Sequence, residues 1–254
     1  MLESILFVYG VAIGSFLNVL IDRLSMEEGI GGRSHCDHCK KTLKPKDLIP
    51  VFSFLSTGGK CRYCKKKLSL QYPIVELLTG VTYVISWHFS PFDNVPLRIL
   101  TLALSSVLLV ILVADLKYQI IPDEMQVALI VIGIALVILQ KAAPSAVLIR
   151  VAEGALVMSP ILLLYVLTKG RGMGFGDVKL AFGIGLLLGA VNGALALYIA
   201  FLSGAIVGVG LLVASRKKMN SKIAFGPFLI VGIVCMFFLK NEVFFVVDKL
   251  FKTN

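Results

Sequence analysis

Four of the five cysteines stand in two pairs, Cys36-Asp37-His38-Cys39 and Cys61-Arg62-Tyr63-Cys64, with 21 residues between them. Each C-x-x-C can form a tight knuckle whose backbone amides hydrogen-bond the sulfurs, and two pairs at this spacing read as a four-thiolate zinc site. A redox pair, or ligation through His35 or His38 in place of one thiol, are the other readings. Two aspartates offer a second chemistry. Asp115 closes an apolar stretch in Ala114-Asp115-Leu116-Lys117, and Asp177 follows the glycine-spaced run Gly172-Met173-Gly174-Phe175-Gly176. Brought together around a water, two carboxyls that share one proton work as a base and an acid: the ionised one activates the water, and the protonated one polarises a scissile carbonyl. Taken singly, Asp177 is equally an ordinary helix N-cap. Asp115 has no such local explanation, because an acid at a helix C-terminus meets the unfavourable end of the dipole, whereas Asp123 and Glu124 sit in a first turn after Pro122.

The elements that must position these groups lie in a membrane. Of 254 residues 57% are hydrophobic and 16% charged, against roughly 45–50% apolar and about 25% charged in soluble domains. Long apolar stretches with few charges give eight candidate spans: 2–21, 73–89, 97–114, 120–139, 146–167, 178–191, 194–214 and 225–239. The expected fold is an all-α polytopic membrane protein of about eight transmembrane helices with a small cytoplasmic zinc-ribbon-like insertion. The segment 178–191 is the weak one. Its 14 residues rise about 21 Å, short of a hydrocarbon core of about 30 Å, so it must tilt, thin the bilayer or re-enter.

Residues 22–72 carry eleven Lys/Arg against five acids, which places them on the cytoplasmic side. Alternation then puts 115–119, 168–177 and 215–224 on the same side, and these hold Lys117, Lys169, Arg171, Arg216, Lys217, Lys218 and Lys222. The opposite loops, around Pro91, Lys141 and Asn192, are nearly uncharged; the tail with Lys240, Lys249 and Lys252 fits the pattern less well. The net charge of +10 thus encodes orientation toward anionic lipid and implies no nucleic acid. The first span lacks a basic leader region and reads as an uncleaved anchor. Domains are expected at 1–21 (first helix), 22–72 (metal-binding segment) and 73–254 (the remaining helices). A segment of this size cannot bury a large core, and zinc would supply its folding energy.

Other ionisable groups at membrane edges also need an account. Glu153 follows Arg150 by three residues, a helix spacing that permits an ion pair. Glu76 has no partner visible in sequence. Lys179 either pairs with an aspartate or marks the inner face, and Cys235 reads as a small core hydrophobe. A proton- or cation-coupled transporter and a zinc-ribbon adaptor without catalysis are the readings that compete with a membrane aspartic endopeptidase.

Six blocks in order decide among these. Gly14-Ser15-Phe16-Leu17-Asn18-Val19, the paired C-x-x-C segment, Tyr72-Pro73-Ile74-Val75-Glu76-Leu77-Leu78-Thr79-Gly80, Asp115 with Ile121-Pro122-Asp123, Gly174-Phe175-Gly176-Asp177-Val178-Lys179-Leu180 and Phe225-Gly226-Pro227-Phe228 resemble the type IV prepilin peptidases, integral-membrane aspartic proteases of the bacterial inner membrane. The resemblance implies that Asp115 and Asp177 are the catalytic pair. It implies cleavage of a short basic leader from prepilins or pseudopilins at the cytoplasmic face, in type IV pilus, type II secretion or competence systems. Because the cysteine segment is present, it also implies N-methylation of the new amino terminus from S-adenosylmethionine, with Gly59 and Lys60 at positions the family associates with methyl transfer. This chain departs from many members in Asp37, where they have proline, and in Arg23-Leu24-Ser25, where they have Arg-Leu-Pro.

Overall fold

The structure, a computed structural model, describes residues 1–141, 143, 145–214, 224–240 and 242–243. The expected basic loop at 215–223 and the tail lysines Lys249 and Lys252 lie outside them. The described residues are helical apart from loops and two isolated bridges. They divide into two compact units, Met1–His88 and Phe89–Asn254.

In the first unit, α1 (Leu2–Ser25) packs along α3 (Gln71–His88), and between them run the cysteine segment, a 3₁₀ turn at Pro45–Asp47 and the short α2 (Phe52–Ser56). The pair is antiparallel, since Gly10 lies against Gly80 and Gly14 against Glu76. A Cβ on Gly10 would stand 2.8 Å from the Gly80 Cα, and one on Gly14 would stand 2.7 Å from the Glu76 Cα. This is the small-xxx-small contact that lets membrane helices bring their backbones together. Beyond it, buried Asn18 donates to the carbonyls of Tyr72 (3.1 Å) and Gly14 (3.3 Å), so its amide is satisfied inside the helix pair.

The second unit holds α4 (Val95–Tyr118), α5 (Asp123–Leu139), α6 (Ser145–Thr168), α7 (Phe175–Leu188), α8 (Ala190–Val213) and α9 (Gly226–Phe238). Pro96 and Pro227 sit in the first turns of α4 and α9, where a missing N–H costs nothing. Gln119 ends α4 in the left-handed conformation, and Gly189, at φ 84°, separates α7 from α8. That glycine moves the end of the weak span from 191 to Leu188.

Helices thus cover every expected span, and four of them, α1, α4, α6 and α8, are long and apolar enough to cross a membrane. Each has 24 residues, or about 36 Å. The others are shorter or less apolar: 18 residues in α3, 17 in α5, 14 in α7 and 13 in α9. For α7 the packing explains the shortness. It touches α5, α6, α8 and α9, and nine of its residues, from Asp177 to Leu188, are buried. A helix surrounded by protein need not match the thickness of the lipid.

Candidate active site and metal centre

The two cysteine pairs fold as near copies of one another. In the first, the Cys36 amide donates to the Lys41 carbonyl (3.0 Å), the Lys40 amide to the Cys36 carbonyl (2.8 Å) and the Leu43 amide to Ser34 (2.8 Å). In the second, Cys61 donates to Lys66 (2.8 Å), Lys65 to Cys61 (3.0 Å) and Leu68 to Gly59 (2.8 Å). Lys40 and Lys65 take positive φ at the matching place, and the bridges His35–Thr42 and Lys60–Lys67 close the two loops.

The four sulfurs lie within 4.8 Å of one another, and Cys36 Sγ is 3.9 Å from Cys64 Sγ. A tetrahedron of thiolates at about 2.3 Å from zinc has edges of about 3.8 Å, so the cluster is of a size to hold a metal ion. Burial pushes the Cys36 thiol up to about 11. At Cys61 the backbone amides of Cys64 and Tyr63 outweigh burial and bring the thiol down to about 7. Those amides aim at the sulfur, as a thiolate ligand requires.

Contacts that the sequence did not reveal fasten both knuckles. Asp47 accepts from Arg62 Nε (2.7 Å), the Tyr63 hydroxyl (2.8 Å) and the Lys44 amide (3.1 Å). Desolvation acts to raise this carboxyl, but the Arg62 and Tyr63 hydrogen bonds prevail and hold it below the usual carboxylate range. The Tyr72 hydroxyl, on α3, lies 3.2 Å from Asp37 of the first knuckle and 3.4 Å from Asp22 of α1. The side-chain partners among these stand 15 to 50 residues apart and leave no periodic signal. Gly59 and Lys60 serve the second knuckle with their backbones: Gly59, at φ 67°, donates to Phe54, and Lys60 pairs with Lys67.

In the second unit, Asp115 lies in the last turn of α4 and Asp177 in the first turn of α7. They are 5% and 8% exposed and close enough to interact through their charges. Asp177 Oδ2 accepts from the Gly174 amide at 3.1 Å, which uses the glycine run as an N-terminal cap. Asp115 Oδ2 accepts from the Gly226 amide at 2.8 Å, the first residue of α9. Each carboxyl therefore rests on a helix N-terminus, where the dipole favours negative charge. A Cβ at Gly226 would fall 2.5 Å from Asp115 Oδ2, so a larger residue here would push the carboxyl from its place. A glycine before proline at a helix start was the signal available for it.

The remaining ionisable groups find ordinary partners. Arg150 pairs with Glu153 at 3.2 Å, as their spacing predicts. Lys179 reaches Asp123, at 2.7 and 2.8 Å, and not the buried aspartates. Glu76 accepts from the Val51 amide at 2.7 Å, a partner 25 residues away. Cys235 is partly buried in α9.

Fold and clusters together define a multi-pass membrane protein with a four-cysteine cluster able to hold a metal ion. Residues 8–89 match the bacterial peptidase A24 N-terminal domain, ending one residue past the first compact unit, and residues 102–209 match the type IV leader peptidase family. A prepilin leader peptidase/N-methyltransferase of Bacillus subtilis (strain 168) is 29% identical over 249 residues, 94% of this chain and 95% of its own. Proteins of the same name from Legionella pneumophila and Aeromonas hydrophila are 31% and 30% identical, each over 90% of this chain and 88% of the relative. No solved structure matches the chain. The chain belongs to the type IV leader peptidase family.

Proposed function

We propose that this protein is a membrane endopeptidase that removes the leader from type IV prepilins or pseudopilins, with Asp115 and Asp177 as its catalytic pair, and that it N-methylates the new amino terminus from S-adenosylmethionine. The observation that carries the peptidase reading is the approach of two buried carboxyls, each held through Oδ2 by one backbone amide. Among the described residues no other hydrogen bond reaches them, which leaves oxygen lone pairs for a water and a proton. One carboxylate removes a proton from that water as it attacks the scissile carbonyl; the protonated partner hydrogen-bonds the carbonyl oxygen and then supplies the proton that the departing amine needs. The fixed amides stop either carboxyl from turning away.

The metal of the four cysteines is zinc in this reading. Its role would be structural: Cys36, Cys39, Cys61 and Cys64 would hold it, and four thiolate ligands would leave no open position for a substrate. Functionally the chain divides into the first helix (1–21), the metal-binding segment (22–72) and the peptidase part (73–254). All eight helices other than α2 cross the bacterial inner membrane, with the zinc segment cytoplasmic; the eleven basic residues of that segment support this orientation. Methyl transfer is supported by the names of the relatives, which pair the two activities. S-adenosylmethionine supplies an electrophilic methyl group, and Gly59 and Lys60 are the proposed methyl-transfer residues. The Lys60 side chain is exposed and its backbone is already engaged, so its ammonium is the part free to meet a ligand.

Membranes holding the protein, incubated with a type IV pilin precursor and S-adenosylmethionine, should yield a product lighter by the leader and heavier by one methyl group in the mass spectrum. An unchanged precursor mass would refute the peptidase reading, and a leaderless product without the methyl group would refute only the second activity.

Two substitutions probe the geometry. Gly226→Ala should displace the Asp115 carboxyl and slow cleavage by on the order of 10²-fold, since a shift of about 1 Å in a catalytic group costs that much. Turnover within a few-fold of wild type would mean that the amide contact does not position Asp115. Lys179→Met should leave cleavage within about twofold, because exposed ion pairs contribute under about 1 kcal/mol. A large loss in that variant would tie the ammonium to catalysis.

A further inference from the structure

The segment between the two knuckles carries apolar side chains that no packing explains. Ile49, Phe52 and Leu55 are 46%, 63% and 69% exposed, and Leu48 is exposed beside them. In a water-facing loop these would be costly placements for four large hydrophobes within eight residues. The backbone is bent to hold them there. Val51, a β-branched residue, sits at φ 60° and ψ −50°, with the Phe52 amide on the Pro50 carbonyl. Such a bend is rare and strained, and needs an outside contact to fix it.

Glu76 provides that contact through the Val51 amide at 2.7 Å. Glu76 is 6% exposed and is the sixth residue of α3, about 7.5 Å along the helix axis from Gln71. The loop therefore reaches back beside the second turn of α3, to the level where Ile74, Leu77 and Leu78 present exposed apolar side chains. Lys44, Lys46 and Lys60, all exposed, flank the apolar residues on the chain. An apolar patch at the depth of a membrane helix end, bordered by cations, matches the acyl-headgroup boundary of an anionic bilayer.

We infer that residues 48–55 form an interfacial anchor that inserts Ile49, Phe52 and Leu55 into the lipid boundary, with the flanking lysines at the headgroups. The anchor joins the metal-binding segment to the membrane surface at a point other than its two ends, and Glu76 sets its depth. It is independent of the proposed peptidase chemistry, because lipid contact requires no turnover.

The full chain carrying Trp87→Phe and Phe52→Trp has one tryptophan, at the loop. In nanodiscs of phosphatidylcholine and phosphatidylserine, its emission should be roughly halved when the acyl chains are brominated near their carbonyl ends, where an interfacial group about 5–10 Å deep would lie. Iodide in the water should quench it weakly. Leu55→Trp in the same background should behave alike, and adding Phe52→Glu to it should remove most of the lipid quenching. Full iodide quenching with no effect of bromine would overturn the inference. So would emission that responds only when a pilin precursor is added, which would assign the face to substrate. Cleavage measured on the same samples reports separately on the peptidase reading.

Discussion

Asp115→Asn and Asp177→Asn should each abolish leader removal, by on the order of 10³-fold or more, while the protein stays folded in the membrane. Asparagine keeps the shape of aspartate, and its carbonyl oxygen can still accept from Gly226 or Gly174, so the helix ends remain joined. What it loses is the exchange of a proton. On the proposed mechanism the two carboxyls act as one unit, so the double variant should be little worse than either single one. Stability separates this from structural damage. Replacing one buried acid by its neutral amide removes a group that burial and its neighbour keep from ionising freely, so the melting temperature should hold or rise as activity vanishes. Wild-type cleavage by either variant would sink the assignment, and a fall in melting temperature alongside lost activity would make the aspartates structural. A pH–rate profile of the wild type would describe the pair and not either residue.

Removing the metal should have the second large effect, confined to the knuckles. Among residues 26–70 only Cys36 and Cys61 are buried, so the segment has no apolar core to fall back on. Structural zinc sites contribute about 10–16 kcal/mol of apparent binding free energy, which in such a segment is folding free energy. Cys36→Ser or Cys61→Ser should reduce bound zinc from about one ion per chain to almost none. Residues 34–68 should then lose protection from hydrogen exchange, with α1 and α3 still protected through their own close contact. Methylation should fall much further than cleavage, since the aspartates belong to the other compact unit. Equal loss of both activities would favour the ribbon as a docking element for substrate. Retained protection without metal would end the structural zinc reading.

Much of this was legible beforehand because membranes impose simple rules on sequence. Hydropathy gave the positions of the long helices, since a backbone in lipid must satisfy its own hydrogen bonds. The cysteine spacing gave the knuckles, since a local turn decides where two sulfurs three residues apart will point. Arg150 and Glu153 met as their helix spacing requires. Partners distant in the chain were another matter. Nothing in the spacing tied Glu76 to Val51, Asp47 to Arg62 and Tyr63, or Lys179 to Asp123.

The clearest division falls at Asp115. Sequence alone determined that an acid stands at the end of an apolar helix, on the unfavourable side of that helix's dipole. Only the tertiary structure supplied the amide of Gly226, at the start of another helix 111 residues on, and set Asp177 within range of its charge. Local sequence governs the conformation of each turn, but which helix end meets which carboxyl depends on how the helices pack. That packing gave an apparent electrostatic liability a fixed hydrogen-bond donor.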